Sequence, residues 1–329
     1  TLTGQVELDT NGAADADILG AKAANQAEKS ELRTTGQVPV PLPDAPFAIP
    51  FVHYEQHLSE NGLWPVIDQL IAEVAAGQLA GEALTRRLFE LRWAIYRAPM
   101  SAALRAELVA AITARHGVER RVRFRSSTNV EDLEQFSGAG LYTSAGAALS
   151  EGEDAIANAV KVVWASAWNH QAFVERAFYR VDHRRVRMGV LVHPSFVDED
   201  ANGVVVTINE FNQQRPAYYI NSQVGEVSVT NPTGLAVPEQ ILYYTWYEEP
   251  EYEVIARSSL LADAPPAWPA GTAVLGDDEL DELAGYLEAI HGHFRSIYGG
   301  GSDFAMDIEY KLAPGRQLVI KQARPLARR

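Results

Sequence analysis

Arg121-Val122-Arg123-Phe124-Arg125-Ser126-Ser127-Thr128-Asn129-Val130-Glu131-Asp132-Leu133, running on to Phe136-Ser137-Gly138-Ala139-Gly140-Leu141-Tyr142-Thr143-Ser144, decides how this chain reads. Its arginines alternate with Val122 and Phe124, the two-residue period of a strand with one buried face. Arg121, Arg123 and Arg125 then point one way, and the two apolar side chains point into a core. A hydroxyl-rich, glycine-bearing loop is expected directly after Arg125. Hydroxyls and unhindered backbone N–H groups suit phosphate oxygens. The whole chain carries a net charge of -15, so a row of arginines implies something anionic beside it.

The 329 residues suffice for one large domain or two lobes with their own cores. Hydrophobic residues make up 47% and charged residues 22%, the balance of an ordinary globular protein. No apolar run is long enough to cross a membrane. The acidic balance argues against a general nucleic-acid binder, because a phosphate backbone would be repelled. Local positive clusters therefore carry more meaning: the arginines of 120–125, and Arg184, Arg185 and Arg187. The absence of cysteine excludes disulfides, a thiolate nucleophile and cysteine-ligated zinc, without fixing the compartment. The chain begins at Thr1, so it is expected to be a piece of something longer, and a missing signal peptide says little.

Residues 1–18 read as an extended polar lead-in, followed by a turn into a helix with Lys22 near its start. A lysine there opposes the helix dipole. It is either a solvated side chain or a cation helping the helix terminus hold a phosphate. Val38-Pro39-Val40-Pro41-Leu42-Pro43 is a stiff connector. Apolar periodicity over 60–117 predicts three helices, broken near Gly77 and Pro99. One long helix is expected from Glu153 to about Arg180, burying Ile156, Val160, Val163, Trp164, Trp168 and Phe173. The second half changes character, with strands predicted at 186–192, 203–208 and 217–220. A surface loop is expected at 261–273, a helix at 277–297, and a closing hairpin of 304–310 with 317–322 around Ala313-Pro314-Gly315.

In Asp307-Ile308-Glu309 the two carboxylates share a strand face, and so do Gln322 and Arg324. A hairpin brings these strands side by side, and the pattern allows Glu309, Gln322 and Arg324 to converge. A carboxylate and an amide oxygen are hard ligands of the kind Mg²⁺ uses, with phosphate and water completing its shell. An arginine beside them grips phosphate. The competing reading is a surface hairpin laced by cross-strand salt bridges.

These motifs carry a resemblance. The chain resembles the nucleotide-binding domain of the pyruvate phosphate dikinase and phosphoenolpyruvate synthase family over nearly its whole length and in the family's order. Leu19-Gly20-Ala21-Lys22-Ala23-Ala24-Asn25 is similar to its opening Gly-Gly-Lys-x-x-Asn motif, and Val38-Pro39-Val40-Pro41 to its Val-Pro-x-Pro segment. Arg125-Ser126-Ser127-Thr128-Asn129-Val130-Glu131-Asp132-Leu133 resembles its most distinctive motif. Val163-Trp164-Ala165-Ser166 and Tyr179-Arg180 fit its central helix. Asp307-Ile308-Glu309 and Gln322-Ala323-Arg324-Pro325 resemble its metal and phosphate motifs.

The resemblance implies a two-lobed α+β ATP-grasp fold, residues 1–185 forming one lobe with a helical segment and 186–329 the other with the metal-binding hairpin. ATP and Mg²⁺ would be held between the lobes. Lys22 and Arg125 would contact ATP phosphates, with Thr143 beside them. Glu309 and Gln322 would hold Mg²⁺, and Arg324 would bind phosphate and stabilise charge in transfer. The implied partner is a phosphoacceptor, a histidine in cis or in trans, with no nucleic acid or membrane, and the expected location is the cytoplasm. None of the eight histidines lies in the Thr-Gly-Gly setting of the family's phosphorylated one, so that acceptor lies outside this chain.

The departures cluster at the base and ribose end. Ala21 stands where the family has its second glycine. Val192-His193-Pro194 replaces Val-Gln near the adenine, leaving His193 as a pocket or core residue. Gln223-Val224-Gly225-Glu226 replaces Gly-Leu-Gly-Glu, with Glu226 retained. Gly203 to Glu210 lacks the family's proline. His291 and His293 do not share a helix face, so no zinc site is expected. Two rivals to a phosphotransferase domain stay open: a non-catalytic nucleotide-binding module, and an interaction domain that binds no nucleotide.

Overall fold

A computed structural model describes residues 6–7, 13–35, 38–130, 132–133, 136–137, 140–212, 214–230, 234–246, 250–261, 273–301 and 303–326. Most of the expected lead-in, Glu131, Gly138 and Ala139 of the glycine-bearing loop, and nearly all of the loop at 261–273 lie outside them. The chain divides into two compact units. The first holds residues 1–27, 44–195 and 327–329, the second 28–43 and 196–326. The boundary expected at 185/186 differs, because the strand that follows it belongs to the first unit's sheet.

In the first unit, β1 (Val6–Glu7), β2 (Phe47–Ile49), β3 (Val122–Thr128), β6 (Ala145–Ala147) and β7 (Met188–Pro194) form a sheet of order β1-β2-β7-β3-β6. All its described pairings are antiparallel. A separate two-stranded ladder joins β4 (Asp132–Leu133) to β5 (Phe136–Ser137). One sheet face presents Phe47, Ile49, Val122, Phe124, Val190 and Val192 to a core. That core is completed by α3 (Phe51–Glu60), α4 (Trp64–Ala75), α5 (Gly81–Arg97), α6 (Ala102–His116), α7 (Glu153–Ala165) and α8 (His170–Phe178).

The three helices expected over 60–117 are α4, α5 and α6; α3 precedes them. The expected long helix at 153–180 is two helices. Ser166 Oγ donates back to the Val163 carbonyl at 2.6 Å, a tight turn covers Ser166–Trp168, and Asn169 is extended (φ -58, ψ 139) before α8 begins. The predicted stripe is buried all the same, and Trp168 Nε1 donates to Tyr54 Oη at 3.0 Å.

The opposite sheet face is covered by α1 (Ala16–Leu19) and the start of α2 (Ala21–Thr35), where Leu19, Ala23 and Ala27 pack on Ala48 and Leu191. The row of arginines belongs to this face. Ser126, Ser127 and Thr128, expected in a loop, instead continue β3 and pair residue for residue with Val190, Gly189 and Met188. Sheet pairing overrides their turn preference.

In the second unit, β8 (Ala201–Val206), β9 (Ala217–Val224), β10 (Glu239–Tyr244), β11 (Glu251–Ala256), β12 (Met306–Ala313) and β13 (Gln317–Pro325) form an antiparallel sheet of order β11-β10-β9-β8-β12-β13. The sequence reading lacked β10 and β11, which begin on charged residues. The helix α9 (Asp277–Ile297) has the predicted bounds, and its Leu280, Leu283, Leu287, Ile290 and Phe294 pack on Val205, Ile220, Ile308 and Tyr310. Burying each such side chain contributes about 1.5–3 kcal/mol. With one sheet face covered by α9, alternation turns Asp307, Glu309, Gln322 and Arg324 to the other, which also carries a smaller apolar cluster of Ala217, Leu242 and Tyr244.

Candidate functional site

In the first unit the site is built where α2 meets β3. Lys22 stands in the first turn, and its Nζ donates to Ser126 Oγ at 3.4 Å. The Ala23 amide donates to Ser127 Oγ at 3.0 Å, satisfying one of the N–H groups a helix start leaves open. Two glycines permit the approach. A Cβ on Gly20, at φ +83, would lie 2.2 Å from the Ser127 carbonyl oxygen, and one on Gly189 would lie 2.6 Å from that of Leu19.

Arg123 and Arg125 share this sheet face. Arg125 is 8% exposed. Burial pushes the Arg123 guanidinium down, and repulsion from Arg125 and Arg121 adds to the effect, so the three charges do sense one another. Arg121, however, is paired with Glu151 and donates to the Gly146 carbonyl at 2.7 Å. His193 lies directly opposite Arg123 in the ladder, buried, with Nδ1 donating to the Pro194 carbonyl at 2.7 Å. Thr143 is placed by another element: its hydroxyl receives the Asn169 amide at 3.4 Å, and the same amide donates to the Leu141 carbonyl at 2.9 Å.

The other positive clusters have carboxylate partners. Arg120 pairs with Asp44 at 2.9 Å and Arg184 with Asp68 at 2.7 Å; Arg187 pairs with Glu55.

In the second unit the closing hairpin sets the geometry. Glu309 lies opposite Gln322 and Asp307 opposite Arg324. Arg324 donates to Asp307 Oδ2 through Nε at 3.0 Å and Nη2 at 2.6 Å, which fixes the guanidinium plane. The register shifts between Glu309 and Tyr310, because Tyr310 pairs with Ile320. Lys321 is the extra residue of a β-bulge, a device that re-aims side chains. Lys321 Nζ donates to Glu309 Oε2 at 2.8 Å. Beneath the bulge, the buried Lys29 donates to the carbonyls of Lys321 at 3.1 Å and Ile320 at 3.5 Å.

Glu226 joins the same neighbourhood. The Asn202 amide donates to the carbonyls of Gly225 and Val227, both at 2.8 Å, holding the turn that carries it. Glu199, paired with Lys311, senses this group: burial pushes its carboxyl up, Lys311 opposes that, Glu226 raises it further and Lys321 lowers it. His291 and His293 go separate ways, to Thr207 Oγ1 at 2.8 Å and Glu28 Oε2 at 3.1 Å.

The structure thus gathers Lys22 and Arg125 in the first unit, with His193 on the same sheet face, and Glu226, Glu309, Gln322 and Arg324 in the second. Among the described residues no three His, Asp or Glu side chains cluster to hold a metal. One carboxylate and one amide facing each other across a bulged ladder fit a small hard dication that draws its remaining ligands from phosphate and water.

Sequence reasoning missed Lys321, Lys29 and Asn202, and gave Asp307 no partner. Alternation counted from Gln322 hides Lys321, whereas the same ladder counted from its turn sets Lys321 opposite Glu309. Lys29 carried a readable signal, a lysine on the alanine-rich inner stripe of a helix.

A family model described as "Pyruvate phosphate dikinase, AMP/ATP-binding domain" matches residues 16–329. The chain belongs to this family. Within the pyruvate phosphate dikinase AMP/ATP-binding domain family, similar curated proteins include a phosphoenolpyruvate synthase of Aeropyrum pernix, 26% identical over 94% of this chain and 40% of its own length. A probable phosphoenolpyruvate synthase of Archaeoglobus fulgidus is 25% identical over 97% of this chain and 41% of its own. A rifampicin phosphotransferase of a Streptomyces species is 27% identical over 98% and 36%. The chain spans about two-fifths of the length of these relatives. No described helix is long and apolar enough to cross a membrane.

Proposed function

We propose that this chain is the nucleotide-binding part of a dikinase-type phosphotransferase: an ATP-grasp domain that takes ATP with Mg²⁺ and passes a phosphoryl group to an acceptor, a histidine, outside the chain. Lys22 and Arg125 contact phosphates, with Thr143 beside them. His193 and Glu226 serve the base and ribose end. Glu309 and Gln322 hold Mg²⁺, which when bound neutralises phosphate charge and orients its oxygens. Arg324, its plane set by Asp307, binds the phosphoryl group and stabilises charge as it moves. Such transfer needs positioning and charge neutralisation more than covalent chemistry from the protein.

The observation that carries this reading is the hairpin register, which puts Glu309 against Gln322 and Arg324 against Asp307 in a chain of an AMP/ATP-binding family. The test is calorimetric titration of ATP with and without Mg²⁺, on the intact chain and on Glu309→Ala. The expected result is Mg²⁺-dependent binding that weakens at least about tenfold, or roughly 1.4 kcal/mol, in the variant. An unchanged Mg²⁺ response removes Glu309 from the metal site. No binding of any nucleotide to the intact protein leaves the interaction-domain reading in front.

One observation favours a non-catalytic nucleotide-binding module: a lysine already occupies the Glu309 carboxylate. Tight ATP binding without turnover, when a phosphoacceptor domain is supplied, would select that reading.

A further inference from the structure

We propose that Lys321 is a built-in cation that competes with the divalent metal for Glu309, so that metal enters the hairpin only by displacing it. The inference rests on reading Glu309 as a metal ligand. Counted from its turn, the hairpin sets Lys321 opposite Glu309, and the β-bulge adds Gln322 on the same side of the sheet without turning the lysine away. Its backbone is fixed, since the buried Lys29 ammonium holds the carbonyls of residues 320 and 321. The contact is a direct one at 2.8 Å between side chains 22% and 31% exposed, too sheltered for a fully solvated surface pair.

The charges nearby leave Lys321 little choice of carboxylate. Asp307 already receives Arg324, and Glu199 already receives Lys311. Glu309 without metal is therefore neutralised by the protein itself. A dication arriving at this carboxylate must break the ion pair, which raises the metal concentration the site requires. The released ammonium is a compact point charge on a flexible stem, suited to polyphosphate oxygens. The exchange is one cation for another, with no covalent step.

The test measures Mn²⁺ binding by electron paramagnetic resonance on the intact chain with no nucleotide present. The proteins are wild type, Lys321→Met, Lys321→Arg and the double variant Lys321→Met with Glu309→Gln. Lys321→Met is expected to bind Mn²⁺ roughly fivefold more tightly than wild type, the scale of the ion pair removed. Lys321→Arg should behave as wild type, and the double variant should lose the gain. Lys321→Gln serves where methionine disturbs folding. Equal or weaker Mn²⁺ binding by the charge-removing variants, including no binding by any protein, overturns the proposal. A parallel ATP titration reports on the nucleotide reading separately. A Mn²⁺ gain with no ATP binding would keep the competition and reject the nucleotide site.

Discussion

Glu309 and Gln322 face each other across the closing hairpin, with Lys321 inserted as the residue that breaks the ladder's regular count. The irregularity aligns an amide with a carboxylate that the turn's own register already sets against an ammonium; Lys321 Nζ reaches Glu309 at 2.8 Å, and the buried Lys29 holds the carbonyls of residues 320 and 321. Counted from its turn, a regular hairpin would pair Lys321 with Glu309 and put Gln322 on the face that packs against α9.

Arg125→Ala should weaken triphosphate binding by at least tenfold, about 1.4 kcal/mol, while adenosine binding changes little. Arg125 sits on the sheet face where α2 begins, with Arg123 close enough to repel. Calorimetry with ATP and with adenosine makes the comparison. Equal losses for both ligands would assign Arg125 a structural role.

Gly20→Ala should cost about 2–4 kcal/mol of stability, since it adds left-handed strain to a contact that leaves no room for a methyl group. Gly77→Ala is the control: its φ is also positive, at +69, but nothing lies within 4 Å of the added Cβ, so about 1 kcal/mol is expected. Thermal unfolding reads both. Because Gly20 seats the start of α2, its variant should also lose ATP affinity through Lys22. Equal stability losses in the two variants would show that the close approach to Ser127 is not what glycine serves.

Acid should destabilise the first unit through His183. Burial, reinforced by repulsion from Arg176, holds its pKa down to about 4, against about 6.5 for a free histidine. The unfolded chain therefore takes up this proton first as pH falls. The stabilisation is complete above about pH 6.5 and is lost as pH drops toward 4, by roughly 3 kcal/mol over the whole window. Burial depresses His57, His116 and His291 in the same direction. Urea unfolding at a series of pH values measures the slope. His183→Phe keeps a ring to stack on Phe173, which lies 3.8 Å away, and should flatten that slope. A slope unchanged in the variant would rule His183 out as its source.

Glu239→Ala should destabilise the second unit by about 2–4 kcal/mol. This fully buried carboxylate accepts from the amide of Val274 at 3.0 Å and from Arg257 at 2.8 Å. Glu239→Gln should lose less, because its amide oxygen still accepts from the backbone. Denaturant unfolding ranks the variants, and an alanine variant as stable as the glutamine one would mean the backbone amides find other partners.

The sequence by itself determined the α+β composition, the helices α4 to α6 and α9, the arginine-bearing strand and the closing hairpin. Each is a local pattern: a period of 3.6 or 2, or a turn residue between two alternating runs. It also supplied the residue types of the candidate site, because carboxylate, amide and guanidinium at fixed spacing follow from the strand's period. Tertiary structure alone decided that Ser126 to Thr128 stay in the sheet, since their partners on β7 lie far away in the chain. It decided that Arg121 is claimed by Glu151 while Arg125 is buried. It decided that Gln322 joins Lys321 beside Glu309, through a one-residue bulge that alternation cannot encode. These outcomes depend on which groups meet across long sequence separations, where pairing and burial outweigh local preference.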